Sequence, residues 1–196
     1  MNRTTTITTD NDVDRRVLDR MIQGYATMVR QRVDAGFRPY LATFMFPRLP
    51  GSPRAIIGQM RDGVTGVYAT FVTRVARHPT SPGSVATLPI MITAPDLPVP
   101  KRDKLPGSEI ALNDGMHWHG VLLVPSNSRL RMPADEHFRL QQRLYVGDRS
   151  RLDRVDVRPI TRAPDVAVDY VLKGSRRRSF SLDDVLILPR ALSELV

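Results

Sequence analysis

Met116-His117-Trp118-His119-Gly120-Val121-Leu122-Leu123-Val124 begins with polar and apolar residues in alternation and ends in an unbroken apolar run. On a strand, residues two apart project from one face, so His117 and His119 point the same way and Trp118 the other. Just upstream, Glu109-Ile110-Ala111-Leu112 and the turn residues Asn113-Asp114-Gly115 complete the pattern of a β-hairpin. With a three-residue loop, Glu109 falls directly across from His119, on the face of both histidines and about 5 Å away at Cβ. A two-residue turn reverses the parity and faces Glu109 away; Asp114 is the competing carboxylate, although turns recruit Asp for local reasons. Two imidazoles and one carboxylate leave coordination positions open for water or a substrate oxygen. The mixed N/O set suits Mn²⁺, Zn²⁺ or Fe²⁺, with Mg²⁺ accessible at cellular abundance. The plain alternative is a polar strand face that holds no ion.

Working outward, the sequence reads as a mixed α+β order. Residues 14–35 place Val17, Leu18, Met21, Ile22, Tyr25, Met28 and Val29 at helical spacing, and Gly36 stops the pattern. Residues 40–46 form an aromatic and apolar run that reads as a buried strand. Residues 53–77 read as a second long helix with Pro53 near its first turn. A strand is expected at 86–93, then an exposed loop at 96–106 that carries Lys101, Arg102 and Lys104. Beyond the hairpin, residues 133–144 read as a helix, 155–160 as a strand, 164–173 as a short helix and 185–188 as a strand, with a brief closing helix. Helices thus interrupt a central, mainly antiparallel sheet. Residues 1–12 read as a disordered lead, and 13–196 as one domain.

Charge narrows the partner. The 196 residues carry 29 Lys plus Arg against 20 Asp plus Glu, a net charge of +9. Such a balance suits a polyanion, most often nucleic acid. With no cysteine, disulfides and thiolate metal sites are excluded. No apolar run approaches the roughly 20 residues that span a bilayer, and the polar, threonine-rich start lacks the apolar core of a secretory signal. A cytoplasmic protein with no membrane partner is expected.

Asp169-Tyr170-Val171-Leu172-Lys173 falls in the short helix that Pro164 and Asp165 open and Gly174 closes. Tyr170 and Lys173 are three apart, hence on one helix face. A phenol of pKa about 10 is a poor nucleophile until a cation stabilises the phenolate, which Lys173 can do. Taken alone, the pair also fits an amphipathic helix with a packing tyrosine and a solvated lysine. Together, the order of the parts is more telling: the strand Thr43-Phe44-Met45-Phe46, then Glu109 and His117-Trp118-His119, then Tyr170-Val171-Leu172-Lys173. It resembles the rolling-circle replication initiators of the HUH endonuclease superfamily, in particular the single-tyrosine Rep type. There the first motif is a strand of this kind, the second is His-hydrophobic-His and the third is Tyr-x-x-Lys, with an acid on the neighbouring strand as third metal ligand.

The resemblance spans residues 38–175 and implies an RNA-recognition-like antiparallel sheet with flanking helices, to which the long leading helix is an addition. It implies Mn²⁺ or Mg²⁺ held by Glu109, His117 and His119, and Tyr170 as a nucleophile that leaves a 5′-phosphotyrosine, supported by Lys173. It further implies single-stranded DNA or origin hairpin DNA as partner, gripped by Lys101, Arg102 and Lys104 and by Arg176, Arg177 and Arg178. About twenty residues follow the tyrosine helix, so the helicase domain of many viral members is not expected, and a nickase of a plasmid, phage or mobile element is. Two rivals stand beside this: a non-catalytic nucleic-acid-binding protein on the same fold, and a metal enzyme of another fold. A cupin, which also uses His-x-His, wants a Glu shortly after the second histidine, where this chain has only apolar residues.

Overall fold

The apolar spacing of the leading segment is realised as a 25-residue helix, α1, Asp10–Asp34. It starts four residues before its expected position, so Asp10 to Asp12 belong to it and not to a lead; residues 1–9 lie outside the described part of the chain. The computed structural model describes residues 10–96, 117–147, 150–176 and 182–190. Gly36 ends the helix as expected: its φ is +91°, where a side chain would be strained, and its N–H donates to Val33 O at 2.9 Å. The chain then enters β1, Phe37–Met45.

Helix α2, Pro53–Val75, is capped by Ser52, whose hydroxyl accepts from the Ala55 N–H at 3.3 Å, with Pro53 in the first turn. A 3₁₀ turn, Pro82–Thr87, takes the first two residues of the segment expected as a strand, and β2, Ile90–Asp96, covers its second half and runs three residues further. β3 spans His117–Pro125. The helix expected at 133–144 divides into α3, Ala134–Leu140, and a 3₁₀ turn, Gln142–Leu144. β4, Arg154–Pro159, α4, Val166–Val171, α5, Lys173–Arg176, and β5, Leu186–Leu188, complete the order. The expected closing helix lies outside the described residues.

The five strands form one antiparallel sheet in the order β4-β1-β3-β2-β5. Its first four strands follow the β-α-β-β-α-β course of a split β-α-β unit, with α2 and α3 as the crossovers. The class is α+β, as the sequence implies. Both faces are covered. On one, Tyr40, Phe44, Met91, Trp118 and Leu122 pack with Met60, Val64, Phe71 and Phe138. On the other, Phe37, Ile92, Ala94, Val121 and Leu123 meet Leu18, Ile22 and Val29 of α1 and Val168, Val171 and Leu172 of the α4 segment. This double burial explains why β3 reads as a continuous apolar run. No described helix is long and apolar enough to cross a membrane.

Candidate metal centre and nucleophile

β3 is the middle strand, paired along its length with β1 and over residues 117–123 with β2. Thr43 and Ala94 flank His119, while Met45 and Asp96 flank His117. The two histidines share a face as expected, with ring centroids 4.5 Å apart, and Trp118 is buried on the other. The expected pairing of Glu109 with His119 needed a free edge at His117–His119, and both edges are taken. Glu109 itself and the turn at 113–115 lie outside the described residues.

Among the described residues, the carboxylate brought to the histidines is that of Asp96, at the end of β2. Its Oδ2 lies 3.3 Å from His117 Nε2 and 3.4 Å from His119 Nε2. One donor atom from each residue lies within 4.8 Å of the other two, close enough for one ion to reach all three. The sequence pattern ends the strand at Thr93 and places Asp96 at the start of the exposed loop. The register shows why Pro95 is tolerated: among the described residues β5 pairs with β2 only over Met91–Thr93, so Pro95 interrupts no ladder bond to β5. A strand extended by three residues would have put Asp96 among the candidates.

Two further contacts orient His119. Thr43 Oγ1 lies 3.1 Å from His119 Nδ1. When Nδ1–H donates to this hydroxyl, the Nε2 lone pair faces Asp96. When the hydroxyl donates to Nδ1 instead, Nε2–H donates to Asp96; the imidazole can thus give that carboxylate a proton or share a divalent ion with it. Below, Thr93 Oγ1 donates to the His119 carbonyl at 2.6 Å. Gly120 leaves the space this threonine needs, since an added Cβ would sit 3.0 Å from Thr93 Cβ. Thr43 and Thr93 are the contacts that the sequence offered no means to find; both depend on strand register.

Tyr170 and Lys173 arrive from α4 and the first residue of α5. Val168, Val171 and Leu172 bury the inner side of this segment, which turns Tyr170 outward at 44% exposure. Its ring lies 5.2 Å from that of His119. Lys173 Nζ is 4.2 Å from the Tyr170 ring centroid and 2.7 Å from Asp96 Oδ2. Burial by itself would raise the Asp96 carboxyl. The hydrogen bonds from His117, His119 and Lys173, with the lysine's charge, outweigh it and hold the group far below the ordinary carboxylate range.

Of the expected DNA-binding residues, Lys101, Arg102, Lys104, Arg177 and Arg178 lie outside the described residues, and Arg176 is the last residue of α5. The remaining histidines stand apart from the site. His78 is exposed. His137 is buried, with Nε2 2.6 Å from Tyr145 Oη. Comparison with protein families, curated proteins and solved structures gives no match to this chain.

Proposed function

We propose that the protein is a metal-dependent single-stranded DNA nickase and strand transferase that forms a 5′-phosphotyrosine, as in replication initiation of a plasmid, phage or mobile element. One observation carries this reading. Two motifs far apart in sequence, His117-Trp118-His119 and Tyr170-Val171-Leu172-Lys173, meet at one carboxylate, with the tyrosine ring against a candidate metal ligand. The metal in this reading is Mn²⁺ or Mg²⁺, held by Asp96, His117 and His119. Asp96 fills the place first assigned to Glu109. Held there, such an ion would supply Lewis-acid stabilisation of the charge on a phosphodiester oxygen.

The chain's own residues do the rest. Tyr170 is exposed, so its hydroxyl can meet a phosphodiester in a polymer that crosses the surface. Attack by Oη forms the O–P bond as the P–O3′ bond breaks. The phenol proton is given up to solvent or a neighbouring base, and the 3′-oxygen leaves as a hydroxyl. The phosphoryl group stays in ester linkage to the tyrosine, so rejoining needs no nucleotide cofactor. Lys173, over the ring, offsets the charge that develops on the phenolate. The net charge of +9 supports a polyanionic substrate.

The test is incubation with mixed single-stranded oligonucleotides and Mn²⁺, followed by a denaturing gel. A covalent protein–DNA adduct is expected from the wild type. Tyr170→Phe keeps the ring and its packing, so stability should change by less than about 0.5 kcal/mol while the adduct disappears. An adduct that persists in Tyr170→Phe overturns the assignment of the nucleophile. No adduct from the wild type with any divalent metal favours a protein that binds nucleic acid without cutting it.

A further inference from the structure

We propose that Lys173 is the resident counter-cation of this site, paired with Asp96 while no metal is bound and displaced from it when a metal binds. The inference rests on the metal reading given above and adds a regulation to it. The observation is that three nitrogens converge on a single oxygen. Asp96 Oδ2 receives Lys173 Nζ at 2.7 Å, His117 Nε2 at 3.3 Å and His119 Nε2 at 3.4 Å. An ion ligated by both imidazoles must also take a lone pair of that same oxygen, because Oδ2 is the atom that faces them. It then stands where the ammonium group's attraction is greatest, with two positive charges added beside one. The carboxylate side chain is only 14% exposed, so water screens this conflict weakly.

Lys173 has somewhere to go. Its stem is long and flexible, a compact charge on four carbons, and the side chain keeps 28% exposure. It already lies over the Tyr170 ring at 4.2 Å. An ammonium released from Asp96 therefore remains beside the phenol, on the side open to solvent. Metal loading and delivery of positive charge to Tyr170 become one event, without any change of protonation. Because linkage is reciprocal, whatever holds Lys173 on Asp96 weakens metal binding by the same factor.

Calorimetric titration of the full chain with Mn²⁺ at low ionic strength tests this. Lys173→Gln and Lys173→Met should each bind Mn²⁺ about tenfold more tightly than the wild type. Lys173→Arg, which keeps the charge, should bind like the wild type, and Asp96→Asn should lose binding. As a second measurement, Mn²⁺ should raise the melting temperature of Lys173→Gln more than that of the wild type. Equal or weaker binding by both neutral variants, with binding intact in the wild type, overturns the counter-cation role and leaves the nickase reading standing. No Mn²⁺ binding by any of these proteins overturns both.

Discussion

An added Cβ at Gly120 would lie 3.0 Å from Thr93 Cβ, 3.1 Å from its Oγ1 and 3.3 Å from the Ile92 carbonyl oxygen. Thr93 cannot move freely, because its hydroxyl holds the His119 carbonyl. Gly120→Ala should therefore cost about 1–3 kcal/mol, as overpacking does, read from urea unfolding, and should weaken Mn²⁺ binding by shifting His119. A loss under about 0.5 kcal/mol would show that the threonine gives way. This constraint could not be read from the sequence, where Gly120 is simply the residue after a histidine. The histidines themselves were legible, since a two-residue spacing on a strand settles their common face. The third donor was not. Its choice depended on which strand lies beside β3, and that pairing joins residues on either side of an intervening segment of twenty residues, 97–116.

At the scale of elements, the outer edge of β4 is closed by a side chain. The Gln142 amide donates to the Val155 carbonyl and accepts from the Val155 N–H at 3.2 Å. It stands in for a neighbouring strand. Gln142→Ala should cost about 1–3 kcal/mol, since half-buried backbone groups lose their partner. It should also open the edge to pairing with a second copy. Sedimentation across a concentration series would reveal that association, and a variant that sediments like the wild type with unchanged stability would show that water replaces the amide. Elements with a strong period were legible: α1, α2 and β3 stand close to their expected bounds. The helix at 133–144 was not, because its pattern continues past Leu140 where the backbone tightens into a 3₁₀ turn that aims Gln142 at β4.

Across the whole molecule, one core contains an ionisable pair. His137 bonds Tyr145 at 2.6 Å, with Phe71 and Phe138 ring centroids 5.9 and 5.8 Å from its own. Burial, with Arg74 adding to it, holds the His137 imidazole below its ordinary value, and burial pushes the Tyr145 phenol well above its ordinary value against the opposing charge of Arg74. The folded chain thus binds a proton at His137 less readily than the unfolded chain. Its contribution to stability is complete above about pH 6.5 and is lost as the pH falls below that value. Proton NMR of the ring should give a midpoint under 6.5, and His137→Gln should reduce the loss of stability between about pH 7.5 and 5.5. A midpoint at or above the ordinary value would refute the assignment. The overall topology was legible only as a class, because the order β4-β1-β3-β2-β5 is fixed by contacts between residues far apart. That topology has a consequence for timing. The histidines sit on the strand with partners on both sides, whereas Tyr170 sits on a six-residue helix, too short to persist alone and held by α1 and one face of the sheet. Rare openings of that outer layer cost less than global unfolding, and each one carries the tyrosine off the histidines. The contact between Tyr170 and His119 is therefore lost and regained many times within the lifetime of a single folded molecule.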